Sequence, residues 1–261
     1  MTDALLSEQQ DGVVTLTLNR PKVLNALDVT TATALQAALS DCERDQSVRV
    51  VVLRGSGRGF MAGGDIAYFA EDPAHLAPRI KSLIEPFHNA IRIIRRMPKP
   101  VIASVHGVAA GAGVSLAMAC DLVLAAQSTR FTLAYSALGA SPDGSSTYFL
   151  PRRVGFGKAL ELALLSDAFD AETAQRYNIV NQIVPDDTLS QETQDLAGRL
   201  ANGPTLAYAN IKALINQSLD NSLDEQLNLE ADSFQACAKT ADFREGVAAF
   251  LAKRQASFKG H

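Results

Sequence analysis

Three aspartates at the ends of predicted elements are the acidic side chains best placed for chemistry. Asp65 follows a glycine-rich loop, Asp121 follows a helix end, and Asp143 follows Ser141-Pro142. An aspartate in such a place can cap a helix or stabilise a turn, and it can also accept a proton in an active site. Local sequence alone favours a structural role for each, with Asp143 in the first turn of a helix.

Two glycine-rich segments could hold an anionic group. Residues 111–113 open a predicted helix, where the first N–H groups have no intrahelical partner and the helix dipole is positive. Close packing of small residues explains this segment equally well. Residues 55–64 follow a predicted strand, but their glycines lack the G-x-G-x-x-G spacing that cradles a dinucleotide. A nucleotide site is therefore not predicted there.

The other candidate side chains lack the spacing of familiar catalytic motifs. His88 lies in a long predicted helix, where a single histidine is more often structural or exposed than catalytic. No histidines have the H-x-x-x-H or H-E-x-x-H spacing of a zinc site, so no metal is expected. Ser115 lies outside any G-x-S-x-G sequence, which argues against a nucleophilic serine.

The elements that must position these residues alternate between strand and helix patterns. Strands are predicted over residues 12–18, 48–53, 100–105, 122–125 and 179–184, and helices over 28–45, 76–97 and a stretch that ends at 120. Residues 142–180 have the pattern of short helices, and the chain after 187 is helical with breaks at 203–204 and 220–221. Twice a buried strand leads into a glycine-rich loop, which is typical of a layered α/β fold.

Composition restricts the partners and the surroundings. The 24 Lys and Arg against 28 Asp and Glu give a formal charge of −4, which leaves no broad cationic surface for nucleic acid. Three dispersed cysteines indicate reduced thiols, and residues 1–10 do not resemble a signal peptide, so a cytoplasmic location is expected. Residues 101–120 carry no formal charge, but their Ala, Gly and Ser content argues against a membrane helix.

Taken together, these segments resemble the enoyl-CoA hydratase/isomerase family, also called the crotonase superfamily, over nearly the whole chain. The matching motifs are residues 19–27 (NRPKVLNAL), 60–66 (FMAGGDI), 99–107 (KPVIASVHG), 110–113 (AGAG), 118–121 (MACD), 150–152 (LPR) with Gly155, and 246–254 (GVAAFLAKR). The resemblance implies an α/β fold, a crotonase-like spiral of repeated ββα units. It also implies a core over residues 1–200 and a C-terminal helical region over 201–261 that mediates homotrimers, often paired into hexamers.

The same resemblance implies an acyl-CoA thioester as the substrate and no cofactor, since coenzyme A is part of the substrate. In the family two backbone N–H groups form an oxyanion hole for the thioester carbonyl, and they match Ala62 and Ala112. Such donors stabilise the enolate oxygen as it develops charge. The positions implied to contact substrate or coenzyme A are Lys22, Ala62, Gly63, Asp65, Ile66, Gly111, Ala112 and Lys253.

The side chains that decide the reaction depart from the hydratase pattern. Hydratases of the family hold and activate a water with two glutamates, and the matching positions here are Ser115 and Tyr135. Asp143 matches the catalytic aspartate of certain isomerases of the family, including the ring-epoxide and Δ3,Δ2-enoyl-CoA types. A single carboxylate suits isomerisation because it can remove a proton from one carbon and return it to another. The resemblance therefore implies a Δ3,Δ2-enoyl-CoA isomerase with Asp143 as its proton shuttle.

Three other hypotheses stay open. A hydratase could handle water with Asp143 together with Tyr135 or Ser115. His88 and Asp143 match the histidine and the nucleophilic aspartate of 4-chlorobenzoyl-CoA dehalogenase, although Tyr135 replaces that enzyme's tryptophan and the chain has no Trp. Loss of both glutamates also fits a non-catalytic acyl-CoA-binding scaffold.

Overall fold

Two β-sheets form the framework of the fold in the computed structural model, which describes residues 3–260. In chain order the strands are β1 (Leu5–Gln10), β2 (Val13–Leu18), β3 (Val50–Gly55), β4 (Val101–Val105), β5 (Val108–Ala110), β6 (Leu122–Ala126), β7 (Arg130–Thr132), β8 (Phe169–Asp170) and β9 (Gln182–Val184). The larger sheet has the order β1-β2-β3-β4-β6-β9, and the smaller has the order β5-β7-β8. In the larger sheet β1 and β2 form an antiparallel hairpin, and each following pair is parallel.

Helices follow most of these strands. They are α1 (Val29–Arg44), α2 (Ile66–Ala70), α3 (Leu76–Arg96), α4 (Ala112–Ala119), α5 (Ser146–Val154), α6 (Phe156–Leu165), α7 (Ala171–Arg176), α8 (Leu189–Ala201), α9 (Thr205–Gln217), α10 (Leu223–Ala238) and α11 (Ala241–Leu251). Several begin at a side-chain cap. Asp28 accepts the N–H of Thr31 at the start of α1, and Ser222 with Glu225 forms a capping box at the start of α10.

The central strands of the larger sheet are buried on both faces, and they separate two hydrophobic clusters. Val51 and Leu53 of β3 belong to the cluster under α1 and α3, whereas Val50 and Val52 belong to the cluster under α8. This division follows from the period of two along a strand, which points successive side chains to opposite faces. A strand buried on both faces has a continuous apolar sequence, as β3 does.

The C-terminal helices α9, α10 and α11 expose many apolar side chains. α9 is held to the core by Lys212, whose ammonium donates to the Asp121 carboxylate at 2.7 Å. The exposed apolar side chains of these helices and of the turn between α9 and α10 are Leu206, Ile211, Ile215, Leu219, Leu223, Leu227, Phe234, Val247, Phe250 and Leu251. Their number is large for a surface in contact with water alone.

The structure confirms the predicted α/β class and the helical pattern after residue 187, and it adds a break at Thr240, which caps α11. The boundary between residues 1–200 and 201–261 stays a prediction; α8 ends at Ala201. Asp143 does not lie in the first turn of a helix, because α5 begins only at Ser146. Residues 101–120 form β4, β5 and the short α4, and across residues 3–260 no helix combines the length and apolarity needed to cross a membrane.

Candidate active site

The two glycine-rich segments, one after β3 and one between β5 and α4, are in direct contact. A Cβ placed on Gly113 would lie 2.2 Å from the carbonyl oxygen of Met61. A Cβ on Gly63 would lie 3.2 Å from the carbonyl oxygen of Ala110, and one on Gly111 would lie 3.6 Å from the Cα of Gly63. Glycine is therefore required where the two backbones approach each other.

The first segment leaves the N–H groups of Gly63 and Gly64 without a backbone acceptor in the described chain, but not that of Ala62. The Ala62 N–H donates to the carbonyl oxygen of Leu24 at 3.0 Å, so the prediction that it is a free donor is wrong. The Gly63 carbonyl accepts the N–H of Leu27 at 2.7 Å. Because the C=O and N–H of a trans peptide point in opposite directions, the Gly64 N–H points away from Leu27. Among residues 3–260 the N–H groups of Gly63 and Gly64 have no backbone acceptor.

The second segment presents the N-terminus of α4. The Gly111 carbonyl accepts the N–H of Ser115 at 3.1 Å along the helix, so the Ala112 N–H points out of the helix end. Within the described part of the chain this N–H has no backbone acceptor. The Gly64 and Ala112 donors thus belong to two touching segments, and the positive end of the α4 dipole adds to them.

The carboxylate of Asp143 is held by the phenol of Tyr135. The Tyr135 hydroxyl donates to Asp143 Oδ1 at 2.6 Å, and both side chains are half-buried. Burial, and then the charge of Asp143, raise the pKa of Tyr135 above its ordinary value, so the phenol stays protonated. A Cβ on Gly111 would lie 3.8 Å from the ring carbon Cζ of Tyr135. Tyr135 and Asp143 therefore lie beside the N-terminus of α4.

Ser115 completes this cluster from inside α4. Its Oγ is buried and lies 3.1 Å from the Tyr135 hydroxyl and 3.1 Å from the Asp143 carbonyl oxygen. It also contacts the hydroxyl of Ser146 at the start of α5. The structure thus brings Ser115, Tyr135 and Asp143 together, and of these three Asp143 carries the carboxylate.

His88 reaches the same loop from α3 and binds its backbone. Its Nε2 accepts the N–H of Gly144 at 3.2 Å, so this nitrogen is the unprotonated one of the ring. Gly144 has a φ of +59°, and a Cβ there would lie 2.5 Å from the ring of Phe87. His88 and Gly144 together fix the backbone on the C-terminal side of Asp143.

The remaining predicted site residues lie around the first segment and at two exposed positions. Asp65 caps α2 by accepting two N–H groups of its first turn, and it pairs with Arg20 at 2.9 Å. Its carboxylate therefore fixes the loop. Ile66 begins α2 and is 49% exposed. Lys22, in a short 3₁₀ turn, and Lys253, just after α11, are exposed and form no ion pair with the described residues.

The arrangement combines backbone donors with one carboxylate. Two N–H groups from touching segments can polarise a carbonyl oxygen, and a carboxylate beside them can move a proton. Over residues 3–260 no three His, Cys, Asp or Glu side chains are grouped as a metal ion would require.

Comparison with known proteins places the chain in a family. The model of the family described as enoyl-CoA hydratase/isomerase matches residues 8–261. The chain belongs to this family. It is 44% identical over 261 residues to the 1,2-epoxyphenylacetyl-CoA isomerase of Escherichia coli (strain K12), with 100% of both chains covered. It is 36% identical over 255 residues to the crotonyl-CoA hydratase of Syntrophomonas wolfei subsp. wolfei, with 97% of each chain covered.

A solved structure confirms the crotonase-like fold. The crystal structure of an enoyl-CoA hydratase from Polaromonas sp. JS666 has a TM-score of 0.93 and 36% identity, and it covers 98% of this chain and 99% of that chain. This member of the enoyl-CoA hydratase/isomerase family is thus an enzyme that acts on acyl-CoA. The relatives include an isomerase and hydratases, so the choice of reaction depends on the side chains of the site.

Proposed function

We propose that this enzyme is a Δ3,Δ2-enoyl-CoA isomerase in which Asp143 moves the proton. One observation carries the proposal: the cluster beside α4 contains the Asp143 carboxylate, whereas Ser115 and Tyr135 contribute hydroxyls. A lone carboxylate can act as base and then as acid on the same substrate. The 44% identity to a 1,2-epoxyphenylacetyl-CoA isomerase supports the same class of reaction.

The Gly64 and Ala112 N–H groups are proposed as the oxyanion hole. Each is without a backbone acceptor in the described chain, and each points out of its own segment. Together they would accept the thioester oxygen of the substrate, which gains negative charge as the α-proton leaves. The α4 dipole favours that charge, because the oxygen lies at the positive end of the helix.

The proposed reaction moves one proton and one double bond. Asp143 removes a proton from C2 of the 3-enoyl thioester, and the electrons of the C–H bond form a dienolate whose negative oxygen lies in the oxyanion hole. The C3=C4 electrons then take the proton back from Asp143 at C4, and the double bond settles between C2 and C3. The carboxylate is unprotonated at the start and at the end, so no other acid, base or cofactor is consumed.

Hydration is the second candidate, because the relatives include a crotonyl-CoA hydratase that is 36% identical. A hydratase needs a group that orients water as well as one that moves the proton. Here Ser115 Oγ lies within hydrogen-bond distance of four neighbouring groups and Tyr135 donates to Asp143, so both hydroxyls are already engaged. This favours isomerisation over hydration.

The dehalogenase and scaffold hypotheses receive less support. A nucleophilic aspartate needs positioned partners, and His88 uses its Nε2 on the backbone of Gly144. A scaffold would have no use for a carboxylate held beside two free backbone donors. We also propose that Lys22 and Lys253 lie near the coenzyme phosphates and that the apolar surface of α9 to α11 joins homotrimers or hexamers.

The test compares substrates on one preparation of the full chain. A Δ3-enoyl-CoA should be isomerised faster than crotonyl-CoA is hydrated, and 1,2-epoxyphenylacetyl-CoA is assayed beside them. Asp143→Asn should lower kcat by about 10²-fold or more with little change in acyl-CoA affinity. Asp167→Asn, at an exposed aspartate, is the matched control. An Asp143→Asn variant that isomerises at the wild-type rate would disprove the role of Asp143, and faster hydration would favour the hydratase.

A further inference from the structure

The phenol of Tyr135 occupies one oxygen of the Asp143 carboxylate and leaves the other free. Its hydroxyl donates to Oδ1 at 2.6 Å, and no donor within residues 3–260 reaches Oδ2. Behind the phenol, Ser115 Oγ lies 3.1 Å away and contacts Ser146 Oγ in turn. Because the phenol donates to Asp143, its oxygen is one acceptor for the single proton of Ser115, beside the carbonyl oxygens of Gly111 and Asp143. Three hydroxyls are therefore arranged on the Oδ1 side of the carboxylate.

This arrangement restricts how the carboxylate can turn. A hydrogen bond from a hydroxyl to a charged carboxylate is about twice as strong as one between neutral groups. The backbone beside Asp143 is also held, since Gly144 donates to His88 and adopts a φ of +59°. A carboxylate fixed through Oδ1 presents Oδ2 in a single direction.

We propose that Tyr135 is a positioning residue that holds Oδ1 of Asp143, so that Oδ2 alone removes the substrate proton and returns it. The catalytic consequence rests on the isomerase function proposed above, whereas the hydrogen bond belongs to the free enzyme. The proton passes from C2 to Oδ2 and from Oδ2 to C4. Tyr135 keeps its own proton throughout.

A double-mutant cycle tests this role with the wild type, Tyr135→Phe, Asp143→Ala and the double variant. Tyr135→Phe should lower kcat for a Δ3-enoyl-CoA by about 10- to 100-fold, with KM changed by less than about twofold. In the Asp143→Ala background the same change should alter the residual rate by less than about twofold, because Tyr135 acts through Asp143. Tyr177→Phe removes a phenol hydroxyl just after α7 and should keep kcat within about twofold of wild type.

The same four proteins, unfolded in urea, test the hydrogen bond without substrate. The two substitutions should be non-additive in the free energy of unfolding, and additive effects overturn the inference whatever the enzyme catalyses. Equal losses of kcat from Tyr135→Phe in both backgrounds overturn it as well. If the effects on the free energy of unfolding are non-additive but the wild type isomerises no Δ3-enoyl-CoA, the hydrogen bond stands and the proposed function is contradicted. The claim that Tyr135 positions Asp143 for proton transfer then falls with that function.

A labelling experiment on the wild-type enzyme also tests whether a single oxygen takes and returns the proton. A substrate deuterated at C2 is converted in ordinary water, and the wild type should carry deuterium to C4, because the oxygen that takes the label also returns it. Tyr135→Phe should carry less label, since the carboxyl group can then turn and expose the labelled oxygen to exchange with water. Absence of deuterium at C4 of the wild-type product overturns proton return from a single oxygen.

Discussion

Replacing Gly113 with alanine tests whether contact between the two glycine-rich segments creates the site. A Cβ on Gly113 would lie 2.2 Å from the carbonyl oxygen of Met61 and 3.0 Å from its Cβ. That carbonyl cannot turn aside freely, because it accepts the N–H of Ala110 at 2.9 Å. The two segments must therefore move apart to accept the added methyl group.

The size of the overlap sets the expected effect. Ordinary van der Waals contacts of a Cβ lie at 3.4–4 Å, so the backbones must separate by about 1 Å, and a misplacement of about 1 Å can cost about 10²-fold in rate. Overpacking costs about 1–3 kcal/mol of stability, and the higher helix propensity of alanine returns up to about 1 kcal/mol. For Gly113→Ala we expect kcat to fall by about 10²-fold and the free energy of unfolding to fall by about 1–2 kcal/mol.

The assay measures isomerase kcat and urea unfolding for Gly113→Ala and a matched control. Gly198→Ala, in α8, adds its Cβ in open space, with no other atom within 4 Å. This control should keep kcat and gain up to about 1 kcal/mol of stability. Wild-type kcat and wild-type stability in Gly113→Ala would refute the argument from close approach.

Three further predictions concern assembly, substrate affinity and alkaline stability. Light scattering should give a trimer or hexamer. Phe250→Asp should weaken this assembly, because Phe250 is 82% exposed on the apolar surface. A wild-type monomer at micromolar concentration would contradict this. Lys22→Ala and Lys253→Ala should each raise the Kd of acyl-CoA a few-fold at low salt with kcat unchanged; an unchanged Kd would oppose a phosphate contact. Above pH 10 the unfolded chain ionises Tyr135 while the folded protein keeps it protonated, because its pKa is raised. The free energy of unfolding of the wild type should therefore fall by up to about 1.4 kcal/mol per pH unit relative to that of Tyr135→Phe. A difference in free energy of unfolding that stays constant with pH would contradict this.

Most of the larger sheet can be predicted from the sequence because burial on both faces leaves a clear pattern. The helix predicted over residues 28–45 is observed as Val29–Arg44, with Asp28 as its cap. The strands of the smaller sheet carry no such signal, because β5, β7 and β8 are two or three residues long. So short a strand has no period to detect, and its pairing depends on contacts distant in sequence.

The segments of the candidate site can be located from the sequence, but the atoms proposed to act in them cannot. Residues 60–66 identify the loop, yet neighbouring peptide N–H groups point to different sides. The Leu24 carbonyl accepts the Ala62 N–H, whereas the Gly63 and Gly64 N–H groups have no backbone acceptor among the described residues. The adjacent glycines Gly63 and Gly64 are the sequence feature that could direct attention past Ala62, since either glycine permits close approach of another backbone. Choosing between Ala62 and Gly64 required the tertiary structure.

The loop that carries Asp143 shows the same limit. A proline followed by an aspartate predicts the first turn of a helix. Instead Gly144 and Ser145 adopt φ values of +59° and +74°, which delays the helix to Ser146. The reason is tertiary, since Gly144 binds His88 from 56 residues away.

The proposed site thus separates two tasks between backbone and side chains. In the proposed reaction the donors for the thioester are the Gly64 and Ala112 peptides, whose directions are fixed by backbone pairing and glycine contacts. In the same proposal the proton is moved by Asp143 on the loop before α5, whose carboxylate accepts the Tyr135 hydroxyl. Substitutions on that loop can therefore change the reaction without changing the class of substrate, because the donors do not depend on them. Such a division fits the relatives of this chain, which include an isomerase at 44% identity and a hydratase at 36% identity.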